Sequence, residues 1–199
     1  MPTGVAIRDP RGQLFDAAER VLLRDGASAL TSRSVTAEAG VAKGVLHRHF
    51  ADFDAFLAEL TADRIARLDS QAAALRAAAG TGTVAGNLTG ALMELFGSVA
   101  LGIVSLVISR DELRGRLRQA RPAGIPLLTE ATAMIASYLT IERELGRIAA
   151  DADVDTLAPT LIGAAHLLFA GREGTPPEAG AVRKVAATVI AGAAPRARP

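Results

Sequence analysis

Residues 31–57 read TSRSVTAEAGVAKGVLHRHFADFDAFL, and this stretch decides the fold. Thr31 or Ser32 carries a hydroxyl able to accept the free backbone N–H groups at a helix start, which predicts a short helix over 32–39. A second short helix is predicted over 42–48. Val35, Ala39, Val41 and Leu46 are spaced so that the two helices, crossing steeply, share one small core. Ala39-Gly40-Val41 lies between them, and a turn this tight needs a positive φ, which Gly adopts without the clash of a Cβ. The small Thr36 and Ala39 let the helices approach. Together these features describe a helix-turn-helix.

In that arrangement the second helix lies in the major groove of DNA and presents side chains to base edges and phosphates. Its polar residues are Lys43, His47, Arg48 and His49. Arg33, Lys43 and Arg48 outnumber Glu38 across residues 33–49, so the segment is locally basic, as phosphate binding requires. The formal charge of the whole chain, +1, carries no such message. Each of these charges alone reads as a solvated surface residue; their company with the Gly turn and the hydrophobic spacing is what favours DNA.

At these residues the sequence resembles the tetracycline-repressor (TetR/AcrR) family of regulators, over about residues 10–60. Thr31, Val35, Ala39-Gly40-Val41, Lys43-Gly44, Leu46 and Phe50 stand in register with the family pattern. The resemblance implies an N-terminal three-helix DNA-binding domain at residues 1–51. Thr31, Arg33, Lys43, Gly44, Val45, His47, Arg48 and His49 would then face the DNA, with Gly44 allowing close backbone approach. For residues 52–199 it implies an all-helical effector-binding and dimerisation domain. Four positions depart from the usual residues: Ala42 stands for a capping Ser, Val45 for Thr, His47 for Tyr and Phe53 for Lys. Each departure removes a DNA contact, although His47 can donate to a phosphate and Val45 can pack against a thymine methyl.

Outward from the motif the chain reads as helix, about nine in all. Half the residues are hydrophobic but only 4% are aromatic, which suits closely packed helices, and no strand alternation of useful length appears. Asp9 and Pro10 open the first helix and Gly26 closes it, with Leu14, Phe15, Ala18, Val21 and Leu22 on the buried face. Further helices are predicted over 52–79, 84–108, 113–120, 125–148, 154–170 and 178–193. The segments GTGTVAG at 80–86 and GREGTPP at 171–177 are breaks, and the basic tail PRARP at 195–199 is expected to fray.

The helix over 84–108 is nonpolar on nearly every side, so it must be surrounded, and Gly97 and Gly102 leave room for a cavity beside it. Ser98, Ser105, Tyr138 and His166 are isolated polar groups in apolar helices. With Phe96 they are the candidate effector-binding residues, and each also reads as a core side chain satisfied by a nearby carbonyl. Leu161, Ala165 and Leu168 in one of the last two helices, and Val182, Val185 and Val189 in the other, form apolar stripes. They are the candidate dimer interface, since a protein reading a two-fold operator needs two copies, although an internal core would show the same stripes.

Other chemistry is excluded or disfavoured. The chain has no cysteine, which removes disulfides, thiol catalysis and Cys-ligated metals and points to a reducing cytoplasm. The N-terminal MPTGVAIRDP lacks the basic start and apolar core of an export signal. Residues 95–109 are uncharged but fall short of the ~20 apolar residues a membrane span needs. His47 and His49 lie about 200° apart around a helix and cannot chelate one ion, and Glu142 and Glu144 cannot face one another as a catalytic pair. The reading is a cytoplasmic, ligand-responsive repressor without enzymatic activity, metal, cofactor or membrane attachment. Its expected partners are double-stranded operator DNA, a small apolar or amphipathic effector and a second copy of itself. The rival reading is a helical carrier or enzyme for an apolar ligand that does not bind DNA.

Overall fold

The computed structural model describes residues 9–120, 124–171 and 175–193. The basic tail at 195–199 and part of the connection at 171–177 lie outside them. The described residues form ten α-helices and no strand: α1 (Pro10–Asp25), α2 (Ser32–Glu38), α3 (Gly44–His49), α4 (Phe53–Ala77), α5 (Val84–Phe96), α6 (Ala100–Ser109), α7 (Asp111–Ala120), α8 (Leu128–Glu144), α9 (Val154–Ala170) and α10 (Ala179–Ile190). Local chemistry sets the boundaries. The Asp9 carboxylate accepts the Gly12 N–H at 2.9 Å, and Asp52, Thr83 and Asp153 cap α4, α5 and α9 in the same way.

The tenth helix arises where the sequence predicts one continuous element over 84–108. The chain instead bends by 58° between α5 and α6. At the bend the Gly97 N–H donates to the Met93 carbonyl at 2.8 Å, and Ser98 Oγ donates to the Leu95 carbonyl at 2.6 Å, so carbonyls of the last turn of α5 are satisfied where the helix stops. A run that is apolar all round has no periodicity to reveal such a bend. Among the described residues no single helix is long and apolar enough to cross a membrane.

Two hydrophobic clusters organise the helices. One joins α1, α2 and α3 to the start of α4 and to one side of α6 and α7, with Leu14, Val21, Val35, Leu46, Ile103 and Leu113 among its fully buried members. Phe15, Phe50 and Phe56 meet in it with ring centroids 5.0 to 5.9 Å apart. The other cluster gathers the rest of α4 with α5, α8, α9 and α10. Gly102 of α6 lies against α1: a Cβ there would stand 3.2 Å from Leu22 Cδ2. The space beside Gly102 is thus filled by α1, which corrects the expectation of ligand room at that glycine. Nearby, Arg110 pairs with Asp54 at 2.9 Å and Arg116 with Asp52 at 2.5 Å, tying α7 and the residue before it to the first turn of α4 and to its cap.

The apolar stripes of the last two helices also need correction. Leu161, Ala165 and Val182 are completely buried within this chain and have no surface left for a partner. Leu168, Val185 and Val189 are half-buried. A helix buried on one side shows the same sequence stripe whether its neighbour belongs to its own chain or to a second one.

Candidate nucleic-acid interface and effector cavity

Thr31 and Ser34 cap α2 reciprocally. Thr31 Oγ1 accepts the Ser34 N–H at 3.1 Å, and Ser34 Oγ accepts the Thr31 N–H at 2.8 Å. Gly40 takes a φ of 66°, in the left-handed region the turn requires, and the Val41 N–H closes the turn on the Thr36 carbonyl at 3.0 Å. Helix α1 braces this unit from behind. The Gln13 amide donates to the Ala39 carbonyl at 3.0 Å, and Arg20 and Arg24 each hold Glu38 at 2.8 Å. Those two guanidiniums, Arg20 first, keep the Glu38 carboxyl below the usual glutamate range. The one acid within the basic segment is therefore already paired.

Helix α3 begins at Gly44 rather than 42; Lys43 before it has αR backbone and makes no side-chain cap bond, and the Val45 N–H closes a turn on the Ala42 carbonyl at 2.9 Å. Arg33, Lys43, His47 and Arg48 are exposed and have no hydrogen-bond or ion-pair partner among the described residues, unlike Arg20, Arg24, Arg110 and Arg116. Thr31 and Gly44 are exposed beside them. Val45 and His49 are half-buried, and the His49 carbonyl accepts from Arg11 at 3.2 Å. A Cβ on Gly44 would meet nothing within 4 Å, so nothing among the described residues demands glycine there. Phe53, where the resembled pattern has Lys, stacks on Phe56 and lies under the Arg110 guanidinium, 5.6 Å from the ring centre.

The effector candidates separate into two groups. Ser105 and His166 meet at a cavity of about 310 Å³ between α6 and α9, lined also by Leu101, Val104, Ile108, Ser109 and Ala170. Phe96 lies beneath, its ring 6.0 Å from that of His166 and 5.6 Å from Phe169. Ser98 and Tyr138 do not line this cavity. Ser98 sits in the α5–α6 bend. Tyr138 is fully buried, with its hydroxyl donating to Glu142 Oε1 at 2.5 Å and accepting from Asn87 Nδ2 at 3.0 Å. Burial, and then the Glu142 bond, push this hydroxyl above the ordinary tyrosine range, so it stays a donor. Arg147 Nε stands 3.3 Å from the other Glu142 oxygen.

Sequence reasoning missed Glu142 as a buried group, because a carboxylate in the run IERELGR reads as solvent-facing. The available signal was its place four residues after Tyr138, on the same helix face. Ile108, Ser109 and Ala170 were also missed as cavity walls; they lie on two helices that only the fold brings together. Among the described residues no group of three or more His, Asp or Glu side chains could hold a metal ion.

Residues 14–60 match the model for bacterial regulatory proteins of the tetR family. No curated protein matches the chain. Solved structures do match it over nearly its whole length. A TetR-family transcriptional regulator from Agrobacterium tumefaciens has 11% identity and a TM-score of 0.71, covering 93% of this chain and 97% of that one. The transcriptional regulator FadR from Bacillus subtilis, in complex with stearoyl-CoA, has 18% identity and a TM-score of 0.66, covering 91% and 98%. The reduced form of NemR from E. coli has 14% identity and a TM-score of 0.69, covering 94% and 99%. At these identities the structural likeness is one of fold. Residues 14–60 therefore fold as a helix-turn-helix unit that matches the tetR-family model, carried on a chain whose overall fold is that of solved tetR-family regulators.

Proposed function

We propose that the chain is a ligand-responsive repressor that binds a near-palindromic operator as a dimer and is released by a small apolar or amphipathic effector. The observation that carries this reading is the set of unpartnered, exposed basic side chains Arg33, Lys43, His47 and Arg48 on the two helices of a capped, Gly40-turned motif. Exposed hydrogen-bond donors left without partners on that motif, three of them Arg or Lys, suit phosphates, and Glu38 is kept from competing by α1. The effector's place is the α6–α9 cavity. Helix α6 presents one side to it and another to α1, where Gly102 meets Leu22, so an effector that favours one position of α6 also favours one position of the DNA-binding domain. The aliphatic walls with Ser105 and His166 at the edge suit an amphipathic molecule, and the Bacillus subtilis neighbour, with its stearoyl-CoA, sets a precedent within the fold. The dimer surface is the outward side of α9 and α10, since the inward stripes are spent.

Hydroxyl-radical footprinting on DNA from upstream of the chain's own gene tests the reading. The expected pattern is two protected patches about one helical turn apart, roughly 34 Å. A single patch, or none at low salt, would contradict it and favour the apolar-ligand carrier.

A further inference from the structure

Helix α3 has little to hold it in place. It is six residues long, about 9 Å of axis, and a helix so short does not persist on propensity alone. No side chain caps its N-terminus, and Leu46 is its only buried residue. A single buried anchor fixes where the helix sits, but the direction of its axis needs a second contact away from Leu46. Binding constellations work only when held within about 10–20° of the productive geometry.

The second contact comes from Arg11, in the first turn of α1. Its Nη1 donates to the carbonyl of His49, the last residue of α3, at 3.2 Å. That carbonyl is one of those a helix leaves without an internal partner at its C-terminus, where positive charge is also favoured. The same guanidinium lies over the buried Phe50 ring, 4.5 Å from its centre, and its Nη2 pairs with Glu59 on α4. One side chain thus joins α1, the end of α3 and α4. Helix α1 is a firm base for it, since Leu14 and Phe15 are buried and the Phe15 ring meets both Phe50 and Phe56. Partners in three directions suit a guanidinium, whose donors fan out in a plane and whose face stacks; the ammonium of a Lys has no such fork. Arg11 also differs from the cations assigned to DNA. Arg33, Lys43 and Arg48 have no acidic partner among the described residues, whereas the charge of Arg11 is offset by Glu59.

We infer that Arg11 is a positioning residue for DNA readout: it braces the C-terminal carbonyl of α3 against α1 and α4 and so fixes the direction of that helix. Sequence preference depends on this brace, while affinity for phosphates, supplied by the unpaired cations, does not. The inference rests on the proposal that α3 reads DNA.

Fluorescence-anisotropy titration of the full chain tests it, with DNA from upstream of the chain's own gene and scrambled DNA at several salt concentrations. Wild type is set beside Arg11→Gln, which removes the charge and shortens the reach, and Arg11→Lys, which keeps the charge without the fork; thermal melts check that both fold. The expected result is a preference for the upstream fragment that drops tenfold or more in Arg11→Gln and is partly restored in Arg11→Lys. Affinity for scrambled DNA and the slope of log K against log salt stay at their wild-type values. An undiminished preference in Arg11→Gln would overturn the inference. Equal losses on both DNAs would overturn it too: with a slope reduced by about 0.9 they would make Arg11 a phosphate contact, and with an unchanged slope and a lower melting temperature they would leave it a general support of the domain. Should Arg11→Gln fail to fold, Arg11→Lys decides, a reduced preference on unchanged scrambled-DNA affinity being expected and a full wild-type preference overturning the inference. A wild-type chain with no preference between the two DNAs would overturn the reading of α3 itself, and the inference with it.

Discussion

Gly44→Ala separates folding from DNA binding at one atom. Gly44 opens α3 with ordinary helical geometry, and a Cβ there would meet nothing within 4 Å. Replacing a helical Gly by Ala at an unstrained site stabilises by about 0.4–1 kcal/mol, mainly by narrowing the unfolded ensemble. For a chain of this size that raises Tm by roughly 2 °C. Gly40, four residues earlier, is the internal control: its φ of 66° is left-handed, so Gly40→Ala costs about 1–2 kcal/mol and lowers Tm by several degrees. The two substitutions add the same methyl and shift stability in opposite directions. If the backbone at Gly44 lies against a phosphate, its methyl displaces that contact and DNA affinity falls tenfold or more, about 1.4 kcal/mol, in a protein no less stable than wild type. Thermal melts and fluorescence-anisotropy titration against operator DNA measure the two quantities. A Gly44→Ala protein that melts at or above the wild-type temperature and binds DNA with unchanged affinity would refute the close approach of α3.

Three further perturbations follow from the geometry. Lys43→Ala should weaken binding to specific and scrambled DNA alike and reduce the slope of log K against log salt by about 0.9, the loss of one phosphate contact; an unchanged slope would remove Lys43 from the interface. Tyr138→Phe should lower stability in urea melts by about 1.5–3 kcal/mol, because the buried Glu142 carboxylate loses its 2.5 Å donor, while binding of 1-aminoanthracene, a neutral apolar probe, at the α6–α9 cavity stays unchanged; loss of probe binding in a folded variant would instead put Tyr138 at the ligand. Glu38→Gln bears on pH. Arg20 and Arg24 depress the folded-state pKa of Glu38, so its contribution is complete above the ordinary glutamate value, about 4.3, and is lost as the pH falls through the lower folded value. The variant should therefore be less stable than wild type near neutrality and converge with it in strong acid; a stability gap independent of pH would show that the Arg20–Glu38–Arg24 contact works through packing alone.

The N-terminal motif was legible because its constraints are local. Thr31 caps within four residues, Gly40 must take a positive φ where two short helices meet, and Leu14, Phe15, Val35 and Leu46 fall at spacings that one small core explains. The ends of α9 were legible for the same reason: Asp153 caps it, and Gly171 follows its last residue. What the sequence hid depends on tertiary partners. The bend at Gly97–Ser98 disappears into a run that is apolar on every side. Leu161, Ala165 and Val182 announce a contact without saying with which chain, and only the fold shows that the contact is internal. Tyr138 and His166 look alike as lone polar residues in apolar helices, yet Asn87 and Glu142 satisfy the first while the second faces an open cavity. The pairing of Glu38 with α1 was likewise out of reach, since Arg20 and Arg24 lie at least fourteen residues before it.

Fluorescence-anisotropy titration of the wild-type chain against DNA from upstream of its own gene, with scrambled DNA beside it and salt varied, tests the central claim most directly. The account predicts saturable, steeply salt-dependent binding that prefers the upstream fragment. Equal and weak affinity for both DNAs, with no dependence on salt, would contradict it: the unpartnered Arg33, Lys43, His47 and Arg48 would then be solvated surface, and the cavity rather than the helix-turn-helix would carry what the chain does.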